Sequence, residues 1–355
     1  MNYCYHFPVV RGVQAGREYY IGMVPLKMLN RLFPYDDDYV LPEYRAQRRL
    51  NESRIPDIKN YILNNEDTYV FSALAASIDG EYHFIEANAE NVGVLEVAMD
   101  AKFLMNDGQH RKAAIIAALE EDSSLGEESI SVVFYGDKGL QRSQQMFTDL
   151  NKHAVKTSNS IAELYDSRDD VAVATRNVIS KIPFLDEFVD KERDILGKFS
   201  SALFTLNTFY TANKKILKRG KCSDEYEAFL FVFWSCIAKY MVPWNEMDRK
   251  EISKKELREQ YVATQAIIIQ AFGRVGAYIW ENKIDNAESF ISKISTINWK
   301  RSAEAWKQRV VRNDGRIINN ESAIMYAANW IKISVGLPLT EDEMLAEEKI
   351  TCVVG

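Results

Sequence analysis

Nine residues concentrate the chemistry of this chain: Asn106-Asp107-Gly108-Gln109-His110-Arg111-Lys112-Ala113-Ala114. They stand between a short strand pattern, Lys102 to Met105, and an almost continuously apolar helix pattern over 109–121. The Asp107 carboxylate is placed to cap that helix, and Gly108 permits close backbone approach to a ligand. The first-turn N–H groups have no partner within a helix. Together with the helix dipole they favour an anion. Arg111 adds a planar fork that matches phosphate oxygens. Gln109 and His110 supply further donors, and a histidine such as His110 could also exchange a proton near neutral pH. The chemistry on offer is therefore phosphate binding. The residues alone leave a second reading open, a well-capped core helix whose His and Arg make structural bonds.

Two further groups could meet phosphates. Arg45, Arg48, Arg49 and Arg54 cluster around Gln47 and Asn51. They form either a phosphate-binding face for nucleotide or DNA or a solvated helix face with surface ion pairs. Trp299, Lys300, Arg301, Trp306, Lys307, Arg309, Arg312 and Arg316 interleave aromatics with cations. Such a mixture can neutralise phosphates and stack on bases. The seven-residue interval between Trp299 and Trp306 is also that of one buried helical face, and core packing is the expected role of both rings. Lys214, Lys215, Lys218, Arg219 and Lys221 close a helix, where positive charge suits the dipole.

Other chemistries find no support. The sequence has no G-x-x-x-x-G-K-[ST], G-x-G-x-x-G or G-x-S-x-G. Asp36-Asp37-Asp38, between Pro34 and Pro42, reads as an exposed loop rather than a metal site. His83 and Glu86 share a strand without other ligands. His153 could join the site of His110 or lie on the surface. No clean helix-turn-helix is visible.

These residues need a scaffold. The chain has 355 residues, 47% apolar and 27% charged, with 16 Gly and 8 Pro, which excludes collagen-like, low-complexity and wholly disordered classes. That length suits about two domains. With 44 basic and 51 acidic residues the net charge is −7, so a basic nucleic-acid coat is excluded and only local basic patches remain. Cys4, Cys222, Cys236 and Cys352 form no C-x-x-C pair, which points to a reducing cytosol. Neither a signal peptide nor a membrane span is expected.

Strands are expected at 3–10, 17–24, 68–78, 82–85, 92–97, 102–105 and 129–135, with helices over 51–65, 109–121 and about 140–150. Asp79-Gly80 reads as a hairpin turn joining the third strand to the fourth. From about residue 168 the pattern turns helical: 169–180, 200–218, 224–240, 254–280, 287–295 and 321–335. Asp314-Gly315 marks one short hairpin. Gly336 reads as a helix C′ residue, and Thr340 with Glu343 as a capping box for a last helix. A boundary is placed near 165–170, dividing the chain into a mixed domain, 1–166, and an all-helical domain, 167–355. The fold class is α+β.

The D-G-Q-H-R run followed by alanines resembles the DGQHR-domain family, and within it the DndB proteins of DNA phosphorothioate modification. QRRLNESRIPDIKNYILNN (47–65) is similar to the family's Q-R-x-L-N-x-x-R helix and FTDLNKHAVKTSNSIAELYD (147–166) to its F-x-D-L-N segment. INWKRSAEAWKQRVVRNDGRI (297–317) and GLPLTEDE (336–343) resemble its C-terminal signature. The resemblance implies a first domain of the ParB/sulfiredoxin class, in which a Gly-x-x-Arg turn binds a nucleoside triphosphate. Carried over by position, Gly108 and Arg111 would hold phosphates with Asp107, Gln109 and His110 beside them. Gln47, Arg48, Asn51 and Arg54 would approach from the earlier helix, and Asn151 from the D-L-N segment. Gln109-His110 departs from the Glu-Arg usual in ParB-like motifs. The resemblance further implies a cytoplasmic DNA-binding regulator that represses its own operon. Arg45, Arg49, Lys300, Arg301, Lys307, Arg309 and Arg312 are its candidate DNA contacts. The expected cofactor is a nucleoside triphosphate with Mg2+, without a structural metal. Expected partners are double-stranded promoter DNA, other phosphorothioate modification proteins and a second copy of the chain, but no membrane. The alternative is an NTPase or NTP-driven DNA-nicking enzyme of the same system.

Overall fold

The computed structural model describes residues 3–34, 52–136, 157–198, 200–218 and 221–354. The chain divides into two compact units, 1–155 and 156–355. The fold is α+β, as expected.

In the first unit seven strands form one mixed sheet: β1 (Cys4–Gln14), β2 (Arg17–Pro25), β3 (Leu74–Asp79), β4 (Tyr82–Glu86), β5 (Val92–Ala98), β6 (Lys102–Asp107) and β7 (Ser129–Gly136). Their order is β4-β5-β1-β2-β7-β3-β6. β5 and β7 alternate buried and less buried positions, the period-two signature of a sheet with one core face. β3 is different: Leu74, Ala75, Ala76, Ser77 and Ile78 are all buried. It runs parallel to β7 and antiparallel to β6.

This order corrects the expected hairpin at Asp79-Gly80, because β4 pairs with β5 and not with β3. The turn signal is local, whereas β3, hidden on both faces, already has two strand neighbours. A flat sheet would hold β3 and β4 five strand spacings apart, about 24 Å. The three Cα steps from Asp79 to Tyr82 reach at most about 11 Å. The sheet must therefore roll until its two ends approach. Aromatic contacts record this roll: Phe103 of the edge strand β6 meets Phe7 of β1 at 6.0 Å and Phe134 of β7 at 5.9 Å. These rings form the first core with Tyr20, Leu95, Val97 and Val132. Among the described residues three α-helices join the sheet: α1 (Leu29–Leu32), α2 (Ile55–Leu63) and α3 (Gln109–Glu121); the helix expected at about 140–150 lies outside the described residues. α2 is shorter than the expected 51–65, and the positions before it form a 3₁₀ turn, Glu52–Arg54.

The second unit contains α4 (Asn159–Tyr165), α5 (Asp170–Lys181), α6 (Pro183–Phe188), α7 (Leu206–Leu217), α8 (Asp224–Tyr240), α9 (Val242–Asp248), α10 (Lys254–Gln260), α11 (Ala266–Glu281), α12 (Ala287–Ile291), α13 (Glu321–Val335) and α14 (Glu341–Val354). Oxygen-bearing side chains start many of them. Ser158, Asp169, Thr205, Ser223, Ser253 and Asn320 each accept first-turn N–H groups. α11, whose Ile267, Ile268, Ile269, Phe272 and Val275 are buried, lies at the centre of this core. Gly273 lets it approach α7 closely, since a Cβ there would lie 2.7 Å from the Ala212 carbonyl.

Three expectations change here. The unit is not all-helical, because Val189–Asp190 and Phe204–Thr205 form a short parallel pair. That pair delays α7 to Leu206. The expected helix 254–280 is two, α10 and α11: Tyr261 bridges Lys300, and the Val262 N–H bonds the Trp299 carbonyl. Backbone pairing with a distant segment outweighs the continuous helical spacing. Trp299 and Trp306 are buried as expected, but not on one helix. Their rings stack at 5.3 Å in an irregular segment. Three local readings stand. Gly315 turns a hairpin bridged by Val311 and Ile317. Gly336 ends α13 at φ +83°. Thr340 and Glu343 make the capping box, the Thr340 N–H bonding Glu343 Oε2 at 2.9 Å.

Candidate functional site

The turn between β6 and α3 is built by strand, glycine and arginine together. Asp107 is the last residue of β6 and pairs with Ala75 of β3. It is not the helix cap. Gly108 occupies the N-cap at φ +100°, and no side chain caps the helix start. Only glycine fits there without strain, for two reasons. The backbone is left-handed, and a Cβ would overlap the Leu74 side chain. Lys112 N–H makes the first helical bond, to the Gly108 carbonyl at 2.9 Å. The N–H groups of Gln109, His110 and Arg111 thus precede the helical ladder.

Arg111 buckles this turn to the strand behind it. Its Nη1 donates to the carbonyls of Ser72 at 2.6 Å and Ala73 at 3.0 Å, and also to Ser72 Oγ. Its Nη2 donates to Asp107 Oδ2 at 2.6 Å. The pair is unequally covered, with side-chain exposures of 17% for Arg111 and 44% for Asp107. The carboxylate expected as a cap instead orients the guanidinium. Most of the arginine fork is engaged within the protein.

Beneath the turn lie buried polar groups. Asn106 Nδ2 donates to Ser77 Oγ at 2.6 Å, and both residues are wholly buried. Gln109 Nε2 is buried and meets no acceptor among the described residues. Lys112 is buried just before the apolar run Ala113–Leu119, and its Nζ donates to the Phe33 carbonyl at 2.7 Å. The Arg111 carbonyl partners and this lysine contact are missed by sequence reasoning. A lysine among alanines and isoleucines was the available signal for the second. Nothing marked the Ser72 and Ala73 carbonyls.

Other expected site residues scatter. Arg54 is exposed at the start of α2. Gln47, Arg45, Arg48, Arg49, Asn51 and Asn151 lie outside the described residues, as do Asp36-Asp37-Asp38 and His153. In the second unit Arg301 is held by the carbonyls of Arg258 at 2.7 Å and Tyr261 at 3.2 Å. Arg309 makes a two-pronged pair with Glu347 at 2.6 Å, both side chains 13% exposed, and lies over Trp330. Lys307 pairs with Glu304 at 2.7 Å. Lys300, Arg312 and Arg316 are exposed. Lys215 and Lys218 pair with Glu321 and Glu281. Burial pushes the Cys222 and Cys236 thiols up from their ordinary pKa, which keeps both protonated and unreactive.

Among the described residues no cluster of histidines, cysteines and carboxylates could hold a metal ion, and no helix is long and apolar enough to cross a membrane. No curated protein and no solved structure matches the chain. The family model for DndB, DNA-sulfur modification-associated, matches residues 7–338, nearly the whole length, and the chain belongs to that family.

Proposed function

We propose that this chain is the DNA-binding regulator of a phosphorothioate modification system, a cytoplasmic repressor of its own operon, with a phosphate site at the β6–α3 turn. Family membership ties it to DNA sulfur modification. The observation that carries the site is the uncapped start of α3, where Gly108 turns the backbone and the N–H groups of Gln109, His110 and Arg111 lead the helix. Such a terminus favours an anion. The ligand is either a nucleoside triphosphate with Mg2+, in the ParB-like manner, or the DNA backbone itself. Arg111 acts here as a positioning residue, because its donors brace the turn on Ser72, Ala73 and Asp107. The exposed Lys300 and Arg312, with Arg45 and Arg49, are the cations proposed to reach DNA phosphates. The net charge of −7 makes that contact local and sensitive to salt.

The test is fluorescence anisotropy of the full chain against labelled duplex from its own promoter, with scrambled duplex as competitor, with and without ATP or CTP. Selective binding that a nucleotide changes supports a switch at the turn. Selective binding that nucleotide leaves unchanged supports direct grip of the backbone. Absence of binding at low salt overturns the regulator. Steady phosphate release would instead favour the NTPase.

A further inference from the structure

The last helix, α14, docks on the second unit through charge. Its inward positions are Glu343, Ala346, Glu347 and, in part, Ile350, which share one helical face. Two of its apolar side chains stay outside: Met344 is 48% exposed and Leu345 57%. Glu343 Oε2 meets Lys332 Nζ at 2.6 Å. Glu347 takes both prongs of the Arg309 fork, each at 2.6 Å. In these two pairs no side chain is more than 13% exposed, whereas each other ion pair of the described second unit has a partner at least half exposed.

A helix held in this way gains little from its contacts. Taking two ion pairs out of water costs about as much as their attraction returns, and one buried alanine adds little apolar area. The cations have a support of their own. The Arg309 guanidinium lies over the Trp330 ring of α13, and Lys332 Nζ lies 4.1 Å from the centre of the Tyr278 ring of α11. Neither ring belongs to α14, so this cradle does not depend on that helix. Without it the two cations need another anion. A guanidinium that holds a carboxylate by two parallel N–H···O bonds offers the same fork to a phosphate. Glu343 and Glu347, four residues apart on one face, present two negative groups about 6 Å apart, a series rather than a single anion. The surroundings suit a long polyanion too. Arg309 leads into the short hairpin bridged by Val311 and Ile317, which carries the exposed Arg312 and Arg316.

We propose that Glu343 and Glu347 stand in for DNA phosphates, so that α14 is an acidic strap over a phosphate site formed by Arg309 and Lys332, and duplex DNA displaces it. The assignment rests on the reading of this chain as a DNA binder and gives that binding a restraint of its own.

Fluorescence anisotropy of the full chain with a scrambled duplex tests it, because phosphate contacts carry no sequence information. Glu347→Gln releases Arg309 and should tighten binding at least about fivefold. It should also steepen the salt dependence by about one phosphate contact. Glu348→Gln removes the same charge from an exposed position of the same helix and should change affinity less than about twofold. Adding Arg309→Gln to Glu347→Gln should return affinity to the parent value. In the parent chain, whose fold no substitution disturbs, saturating duplex should speed amide exchange across α14. Equal effects of Glu347→Gln and Glu348→Gln overturn the proposal. So does weaker binding by Glu347→Gln, the outcome of a merely structural pair, and so does exchange across α14 that duplex leaves unchanged or slows. A missing preference for the promoter sequence would count against the repressor and leave this test untouched.

Discussion

Glu163 on α4 offers a prediction with a definite sign. Its side chain is 9% exposed, and its Oε2 meets no hydrogen-bond partner among the described residues. Burial, reinforced by the charges of Asp194 and Asp169 and only partly offset by Lys214, pushes its carboxyl up to about 8. Asp194 cannot move away. It accepts the Asn159 and Ser160 N–H groups at 2.8 Å, and Asp169 is held by the first turn of α5 and by the Tyr210 hydroxyl at 2.6 Å. Below the ordinary glutamate value both folded and unfolded states keep the proton, and the native state carries no penalty. As pH rises towards 8 the unfolded chain releases the proton and the folded one retains it. Stability therefore falls with rising pH, by at most about 1.4 kcal/mol per pH unit. Near pH 7 the cost is about 3 kcal/mol, an order-of-magnitude figure from the same relation. Glu163→Gln removes it. In a unit of this size about 1 kcal/mol moves the melting temperature by ~2–4 °C. The variant should melt higher than the parent by roughly 6–12 °C near pH 7, and by almost nothing near pH 4. Differential scanning calorimetry from about pH 4 to 8 reads the difference. Parallel curves for the two proteins across that window would refute the reasoning.

The remaining expectations concern the turn and the last helix. Gly108→Ala must adopt φ +100° and overlap Leu74, and it should destabilise the first unit by about 2 kcal/mol, seen as a lower melting temperature. Arg111→Lys keeps the charge but cannot reproduce the fork to Ser72, Ala73 and Asp107. A loss of about 2 kcal/mol is expected in denaturant unfolding, and an unchanged midpoint would contradict the bracing role. Glu343→Ala leaves Lys332, 2% exposed, without its 2.6 Å partner and also opens the capping box. Its cost should be about 3–5 kcal/mol, with faster amide exchange across α14; exchange like that of the parent chain would count against it.

Much of this was legible in local patterns, for physical reasons. Capping residues act on their own helix, so Gly336 and the Thr340–Glu343 box follow from a few letters. Strands of period two announce themselves, and six of the seven in the large sheet fall within a few residues of their expected bounds. The failures come from partners outside the local pattern, most of them distant in sequence. Asp79-Gly80 is a good hairpin sequence, yet the sheet order sends β3 to β7 and β6. The helical spacing of 254–280 is real, yet the pairing of Tyr261 with Lys300 interrupts it. Asp107 is a good cap residue, yet Arg111, four positions on, takes its carboxylate.

That last substitution of partners bears on how a phosphate could act at this site. An arginine free in solution would simply add charge to a bound anion. Here the guanidinium ties the start of α3 to the residues that lead into β3, and β3 is buried between β7 and β6. A phosphate competing with Asp107 for Nη2 would therefore load the link between α3 and the centre of the sheet rather than a surface side chain. The two readings of the turn then separate on stability as well as on affinity. A ligand held only by the leading N–H groups leaves the buckle closed and raises the melting temperature by mass action. A ligand that displaces Asp107 exchanges one charged partner for another, and Asp107→Asn should then strengthen its binding while weakening the unliganded fold. If Asp107→Asn instead weakens binding and stability together, Arg111 acts on the ligand only through the geometry it maintains.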